Sequence, residues 1–419
     1  MIILVNFNDY LGGGETLFVR LAEYLQENNG EFLLAFKKNS YIEADLLKRE
    51  ISEEHLIPVE GPIDYYYLKD NERGALRDII LSKLELNKDY IIYSFCLRDL
   101  YFTVDLSKVF SGNIKIAHLI LHEQDNLYCC QTLTDKIRLI LLNKRTFSSH
   151  KMIAFNRILL NQICENGVVI PMNEVITKLW SEQFDIHLSA DNVVALPTCN
   201  FPDYQFDKHN NKKIIWIGRI VDFKIPSIFV LLNFLKRRKD YSLSIVGYGE
   251  EDKIIDYIQK IQLDEGQVRL LGKVEYSELG SVIQEHSIGY AMGTSIIEIA
   301  RYGLPVIMAM ASPDFHIFPR DICGGLYVNQ MKGDVGASLY YKNDISDLPI
   351  IDDAINRIES DYEGSARASY DYIKNMFDFQ KNADAYFEFG EKYGTYHKYD
   401  VHIPHACLVR RLAFRLFSR

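Results

Sequence analysis

The chain has 419 residues, 48% of them hydrophobic and 25% charged, with a formal net charge of −10 at pH 7. That length exceeds one ordinary hydrophobic core, so two domains of a globular protein are expected. The acidic balance argues against nucleic acid as a partner, because nucleic-acid binding leaves a basic footprint.

The first half alternates strand and helix patterns. Met1–Phe7 reads as a strand, and no basic segment precedes its Ile2-Ile3-Leu4-Val5 run, so a secretory leader is not expected. Gly12-Gly13-Gly14 reads as a loop, and Glu15–Asn28 as an amphipathic helix with Leu17, Leu21 and Leu25 on one face. Glu31–Phe36, Tyr90–Phe95 and Asn113–Leu121 read as strands; the last two are apolar enough to be buried on both faces, as parallel strands are. Val168–Met172 is a further short strand, Glu174–Phe184 a helix, and Asn192–Leu196 closes the half. The whole predicts an open α/β sheet with right-handed crossovers.

Pro197–Lys213 interrupts this rhythm, and a linker is set at 198–213 between a domain of residues 1–197 and one of 214–375. The second domain repeats the pattern, with strands at Ile214–Ile217, Ser242–Val246, Val268–Leu271, Ile288–Ala291 and Pro305–Met308. Ile351–Phe389 reads as mostly helical with a break near Gly364; residues 376–395 are expected to return to the first domain, and 396–419 to form a basic tail. The seven cysteines are scattered without a C-x-x-C pair, which suits reduced thiols in the cytoplasm and neither a zinc site nor a disulfide framework. No uncharged apolar run approaches the length of a membrane span.

The chemistry concentrates between residues 214 and 307. The strand Ile214-Ile215-Trp216-Ile217 runs into Gly218-Arg219, and Lys224 follows. Carboxyl ends of parallel strands are where open α/β sheets bind ligands. There Arg219 offers a planar fork for phosphate and Lys224 a point charge. The competing reading is two solvated surface cations. Later come Met292-Gly293-Thr294-Ser295 and then Glu298. Gly293, Thr294 and Ser295 are small enough to let a phosphate approach helix amides, or they form a plain tight turn. Glu298 either faces a ribose or completes a capping box with Ser295. Gly247-Tyr248-Gly249 reads as a turn bordering the same region.

In the first domain, the Gly12-Gly13-Gly14 run lacks the third glycine and the acid of a dinucleotide fingerprint: Leu17 and Lys37-Lys38 stand there instead. NAD is therefore not expected, while Gly13 and Gly14 remain candidates for a loop that meets a ligand. His122 follows a strand and is placed to hydrogen-bond a sugar or assist proton transfer; the plainer reading is one loop histidine among eleven. No D-x-D, P-loop, H-E-x-x-H or G-x-S-x-G motif is present.

As a set, Gly218-Arg219 with Lys224, Gly247-x-Gly249, Val268-Arg269-Leu270-Leu271-Gly272 and Glu298-x-x-x-x-Gly303-x-Pro305-Val306-Ile307 resembles the donor-binding domain of GT-B glycosyltransferases. The likeness is greatest to the retaining glycosyltransferase family four. Gly13-Gly14 and His122 resemble, more loosely, the glycine loop and cleft histidine of that family. The family's usual glutamate eight residues before the ribose-binding one is Tyr290 here.

The resemblance implies two facing doubly wound Rossmann-like domains with a cleft between them. The second would hold a nucleotide-sugar donor and the first a glycan acceptor. It further implies hexosyl transfer with retention, without metal or cofactor. Arg219 and Lys224 would neutralise the departing diphosphate; Glu298 would hold the ribose; Gly218, Gly247, Gly293, Thr294 and Ser295 would border the donor; His122 would lie near the transferred sugar. By analogy with the bacterial members the acceptor would be linked to a lipid diphosphate, in the synthesis of a surface polysaccharide such as lipopolysaccharide or capsule. A sugar-nucleotide epimerase of the same fold, or a non-catalytic nucleotide-binding partner of another transferase, are the rival readings.

The tail from His405 to Arg419 holds four arginines and no acid. As a helix it sets Leu408, Leu412 and Leu416 in one row and Arg411, Arg415 and Arg419 in another, which suits an anionic membrane surface at the inner face of the plasma membrane. The equal rival is a tail packed on its own protein.

Overall fold

The computed structural model describes residues 1–9, 12–61, 63–122, 125, 150–198, 201, 210–311, 321–326, 332–338, 348–406 and 411. The chain divides into two compact units, Met1–Pro197 with Gln380–Arg419, and Thr198–Phe379.

The first unit runs β1 (Ile2–Asn6), α1 (Gly13–Glu27), β2 (Phe32–Lys37), α2 (Tyr41–Lys48), β3 (Leu56–Val59), α3 (Asp70–Leu81), β4 (Tyr90–Ser94), α4 (Leu97–Val109), β5 (Ile114–Ile120), α5 (His150–Asn166), β6 (Val168–Pro171) and α6 (Glu174–Phe184). Its strands form one sheet in the order β3-β2-β1-β4-β5-β6, all neighbours parallel. Every residue of β4 and β5 is buried, the condition a parallel sheet covered by helices imposes. β3 was not anticipated. It carries Pro58, which a sheet tolerates at an edge, and β3 is the edge. The glycine run also differs from its reading as a loop: Gly12 is the N-cap and Gly13 and Gly14 already belong to α1.

The second unit runs β7 (Lys213–Ile217), α7 (Ile225–Arg237), β8 (Ser242–Val246), α8 (Glu251–Ile261), β9 (Val268–Gly272), α9 (Tyr276–Gln284), β10 (Ile288–Ala291), α10 (Thr294–Ala300), β11 (Val306–Met308), β12 (Met310–Ala311), β13 (Ala337–Ser338), α11 (Ile351–Ser360) and α12 (Tyr362–Phe377). Its main sheet is again parallel, ordered β11-β10-β7-β8-β9. α7 opens with Pro226 in its first turn, where a missing amide hydrogen is harmless, and buries Ile228, Leu231, Leu232 and Leu235. The helical break expected near Gly364 falls at Asp361 instead: Asp361 caps α12 by accepting from the Gly364 amide at 2.9 Å, so the glycine lies inside the first turn.

α13 (Phe379–Lys392) then packs Ala383, Tyr386 and Phe387 inward, and Tyr386 donates to the Val194 carbonyl at 3.0 Å. Beyond it the chain runs extended along the first unit. Tyr399, Val401 and Ile403 alternate inward, as period-2 burial demands. Arg73, itself buried, fastens this strap by donating to the Ile403 and Pro404 carbonyls, each at 2.9 Å. Ala406 bonds to Tyr66. The rows proposed for the tail, Leu408-Leu412-Leu416 and, apart from Arg411, the arginines, lie outside the described residues. Among those described, no helix is long and apolar enough to cross a membrane.

Candidate functional site

In a doubly wound sheet the chain reverses its direction of growth between two adjacent strands, and the helices leaving their carboxyl ends diverge. That divergence opens a crevice for ligands. In the second unit the reversal lies between β7 and β10, paired in register with Trp216 opposite Tyr290. Two residues further, Gly218-Arg219 and Met292-Gly293 therefore emerge side by side. The second sheet brings the two sequence segments together at that point.

Arg219 is exposed just beyond β7. Lys224 ends the same loop, half-buried, with its backbone leading into α7. A Cβ on Gly218 would stand 3.2 Å from Lys224 Nζ and 3.1 Å from the Trp216 ring, so the ammonium sits directly over the glycine. Burial, and then the neighbouring Arg219 charge, push the Lys224 ammonium down to about 8. Among the described residues neither cation is paired with a carboxylate. Two adjacent cations, one desolvated and both without a counter-ion among the described residues, repel each other until an anion arrives.

Gly247-Tyr248-Gly249 is not the turn expected. It continues the pairing of β7 with β8: the Gly218 amide donates to Val246 at 3.0 Å, Ile220 to Tyr248 at 2.9 Å, and Glu250 to Ile220 at 2.9 Å. The backbones approach so closely that a Cβ on Gly249 would lie 2.1 Å from the Ile220 oxygen. These glycines hold the Gly218-Arg219 loop from behind.

At the end of β10, Gly293 takes φ +68°, a conformation natural to glycine, and caps the seven-residue α10. Its amide donates to the Val335 carbonyl. Thr294 is exposed and Ser295 half-buried in the first turn. The capping-box alternative does not hold: Ser295 lies within the helix, and Glu298 turns elsewhere. Its Oε1 accepts from the Tyr276 hydroxyl at 3.1 Å, and its Oε2 lies 3.2 Å from Arg301 Nε. Tyr290 is wholly buried inside β10, its hydroxyl without a hydrogen-bond partner among the described residues.

The first unit has its own reversal, between β1 and β4. Gly13 has open space where a side chain would stand, and Gly14 faces Leu121 at 3.5 Å. His122 follows β5, exposed, and its carbonyl accepts from the Asp125 amide. Around the reversal the structure gathers residues that no motif announced. Asn8 donates to Glu15 at 2.5 Å, Asp99 accepts from the Phe7 amide at 3.2 Å, and Asp125 accepts from the Leu97 amide at 2.9 Å. Burial raises Asp99 to about 6 and Asp125 to about 7, while Arg98 pulls both down. Their only common sequence signal is position just after an apolar strand. His118 is a different case: enclosed in β5, it is held neutral, lowered by burial to about 3.

Gly13, Gly14 and His122 thus belong to the first unit. Gly218, Arg219, Lys224, Gly247, Gly293, Thr294, Ser295 and Glu298 belong to the second.

No protein-family model and no curated protein matches this chain. Solved structures do. HepE from Anabaena, crystallised with UDP, aligns at TM-score 0.62 and 12% identity over 94% of this chain and 100% of its own. A glycosyltransferase from Rickettsia africae aligns at TM-score 0.60 and 14% identity over 93% and 97%. WaaB, a lipopolysaccharide outer core galactosyltransferase in its apo form, aligns at TM-score 0.57 and 14% identity over 92% and 98%. The two parallel Rossmann-like sheets are those of the GT-B fold.

Proposed function

We propose that this chain is a glycosyltransferase that takes a sugar from a nucleotide-sugar donor held by its second unit. One observation carries the reading: Lys224 and Arg219 form a cation pair, without a carboxylate among the described residues, at the carboxyl end of β7 and at the sheet's reversal. A diphosphate is the ligand whose charge and size fit two such cations, one of them a planar fork. As the bond to the sugar breaks, negative charge grows on the leaving diphosphate. Cations already fixed in a half-buried site stabilise it without reorganising. Glu298 would accept from the ribose hydroxyls; Gly218 and Gly293, with no side chain, and the small Thr294 and Ser295 would border the donor, and Gly247 would back the Gly218-Arg219 loop. Gly13, Gly14 and His122 would serve the acceptor side from the first unit. The UDP bound to HepE makes a uridine diphosphate sugar the first donor to try.

The finer reading is a metal-independent, retaining enzyme of glycosyltransferase family four. Its acceptor would be a growing surface glycan on a lipid diphosphate, met at the inner membrane face through the arginine-rich tail. The test is incubation with a panel of nucleotide sugars, with and without membrane extract. Acceptor-dependent release of the nucleoside diphosphate supports transfer. Donor interconversion without acceptor would mean an epimerase, and binding without turnover a non-catalytic partner. Removal of residues 407–419 should reduce sedimentation with anionic liposomes; unchanged sedimentation rules out the membrane role.

A further inference from the structure

Glu298 is gripped from two sides, by a neighbour one helical turn away and by a residue remote in sequence. Arg301 lies one turn further on, at the C-cap of α10, and its Nε is 3.2 Å from Glu298 Oε2. Arg301 is itself fixed, because it also donates to the Tyr302 hydroxyl at 3.1 Å. Tyr276 reaches across from the first residue of α9, 22 positions earlier, and its hydroxyl donates to Oε1 at 3.1 Å.

The two contacts do different things. Oε2 is buried and accepts no hydrogen bond from the described residues, and Arg301 anchors it by charge. One anchored oxygen still leaves the carboxylate free to rotate about its last torsion, which is broad. The Tyr276 bond removes that freedom and sets the plane of the carboxylate. An ionised carboxylate oxygen has two lone-pair sites, and Tyr276 occupies one on Oε1. The other remains for a second hydroxyl in a fixed direction. A tyrosine that is 59% exposed gains little from burial here. Its geometric product is the orientation of Glu298.

We propose that Tyr276 is the positioning residue of the nucleoside end of the donor site, orienting Glu298 so that its carboxylate distinguishes ribose from deoxyribose. This rests on the donor reading above. A latch that merely ties α9 to α10 would add stability and leave that discrimination untouched.

The experiment uses the full chain and Tyr276→Phe, which keeps the ring and removes the hydroxyl. The wild type is first titrated calorimetrically with UDP, ADP and GDP. The one that binds tightest, its 2′-deoxy form and inorganic pyrophosphate are then titrated into both proteins. A hydrogen bond to a charged group is worth roughly tenfold in affinity. The wild type should prefer the ribose form by about tenfold. Tyr276→Phe should lose most of that preference while its pyrophosphate affinity stays within about twofold of wild type. An unchanged preference in Tyr276→Phe overturns the inference, and so does an equal loss for all three probes. Failure of the wild type to bind any of the three nucleoside diphosphates overturns the donor reading itself, and this inference with it.

Discussion

Gly247 lies so near Gly218 that a Cβ on it would stand 1.8 Å from the Gly218 carbonyl oxygen. The obstacle is backbone, which cannot swing aside as a side chain would, and Gly247 has φ +147°. Gly247→Ala should therefore lower stability by about 3 kcal/mol or more, read as a shift of the urea midpoint. A shift under about 1 kcal/mol would mean that the two strand ends are held less closely than this.

The same loop presents Lys224 at about 8. An anion binds the protonated form, so nucleotide affinity should hold below that pH and fall above it as the ammonium loses its proton. Lys224→Arg keeps its charge and should abolish the fall. Lys224→Ala should weaken binding about a hundredfold, since it removes a half-buried charge from a bound anion. Flat titrations from pH 7 to 9.5 in the wild type would argue against a diphosphate at Lys224.

Asp125 is held at about 7 by burial, well above an unfolded aspartate near 3.8. The native state then binds the extra proton across that window. The stability this confers is complete below the unfolded value and lost as pH rises through about 7. Asp125→Asn keeps an oxygen for the Leu97 amide. Its melting temperature should exceed wild type by more at pH 8 than at pH 4. Equal differences at both would show Asp125 to be solvated.

Arg73 donates to the Tyr65 carbonyl and holds the C-terminal strap through the Ile403 and Pro404 carbonyls. Arg73→Met fills the space and deletes those bonds. Limited proteolysis should then cut between residues 395 and 406 several times faster than in wild type, with nucleotide affinity unchanged. Equal cutting rates would mean that burial of Tyr399, Val401 and Ile403 suffices.

If Arg219 and Lys224 supply the charge that a divalent ion would otherwise bring, EDTA should leave nucleotide affinity and acceptor-dependent turnover within about twofold. Loss of both on chelation, with recovery on adding magnesium, would contradict the metal-independent reading.

Much of the architecture could be read from local pattern. Apolar runs such as Tyr90–Ser94 and Ile288–Ala291 announced buried parallel strands, and each was found where its run lay. β3 escaped because four residues containing a proline carry little signal, while an edge position forgives the proline. The segment Gly247-Tyr248-Gly249 looked like a turn because glycine permits turns. It is instead a place where two backbones touch, and contact between chain segments is not written in composition.

The sequence by itself determined which residues end strands, since hydrophobic runs and glycines act over a few positions. It thereby singled out Gly218, Arg219, Lys224, Gly293 and Glu298. Only the tertiary structure decided that β10 lies beside β7, that Lys224 is desolvated next to Arg219, and that Tyr276 holds Glu298. Burial and charge depend on what surrounds a group in space, and those surroundings come from segments tens of residues apart that only folding brings together.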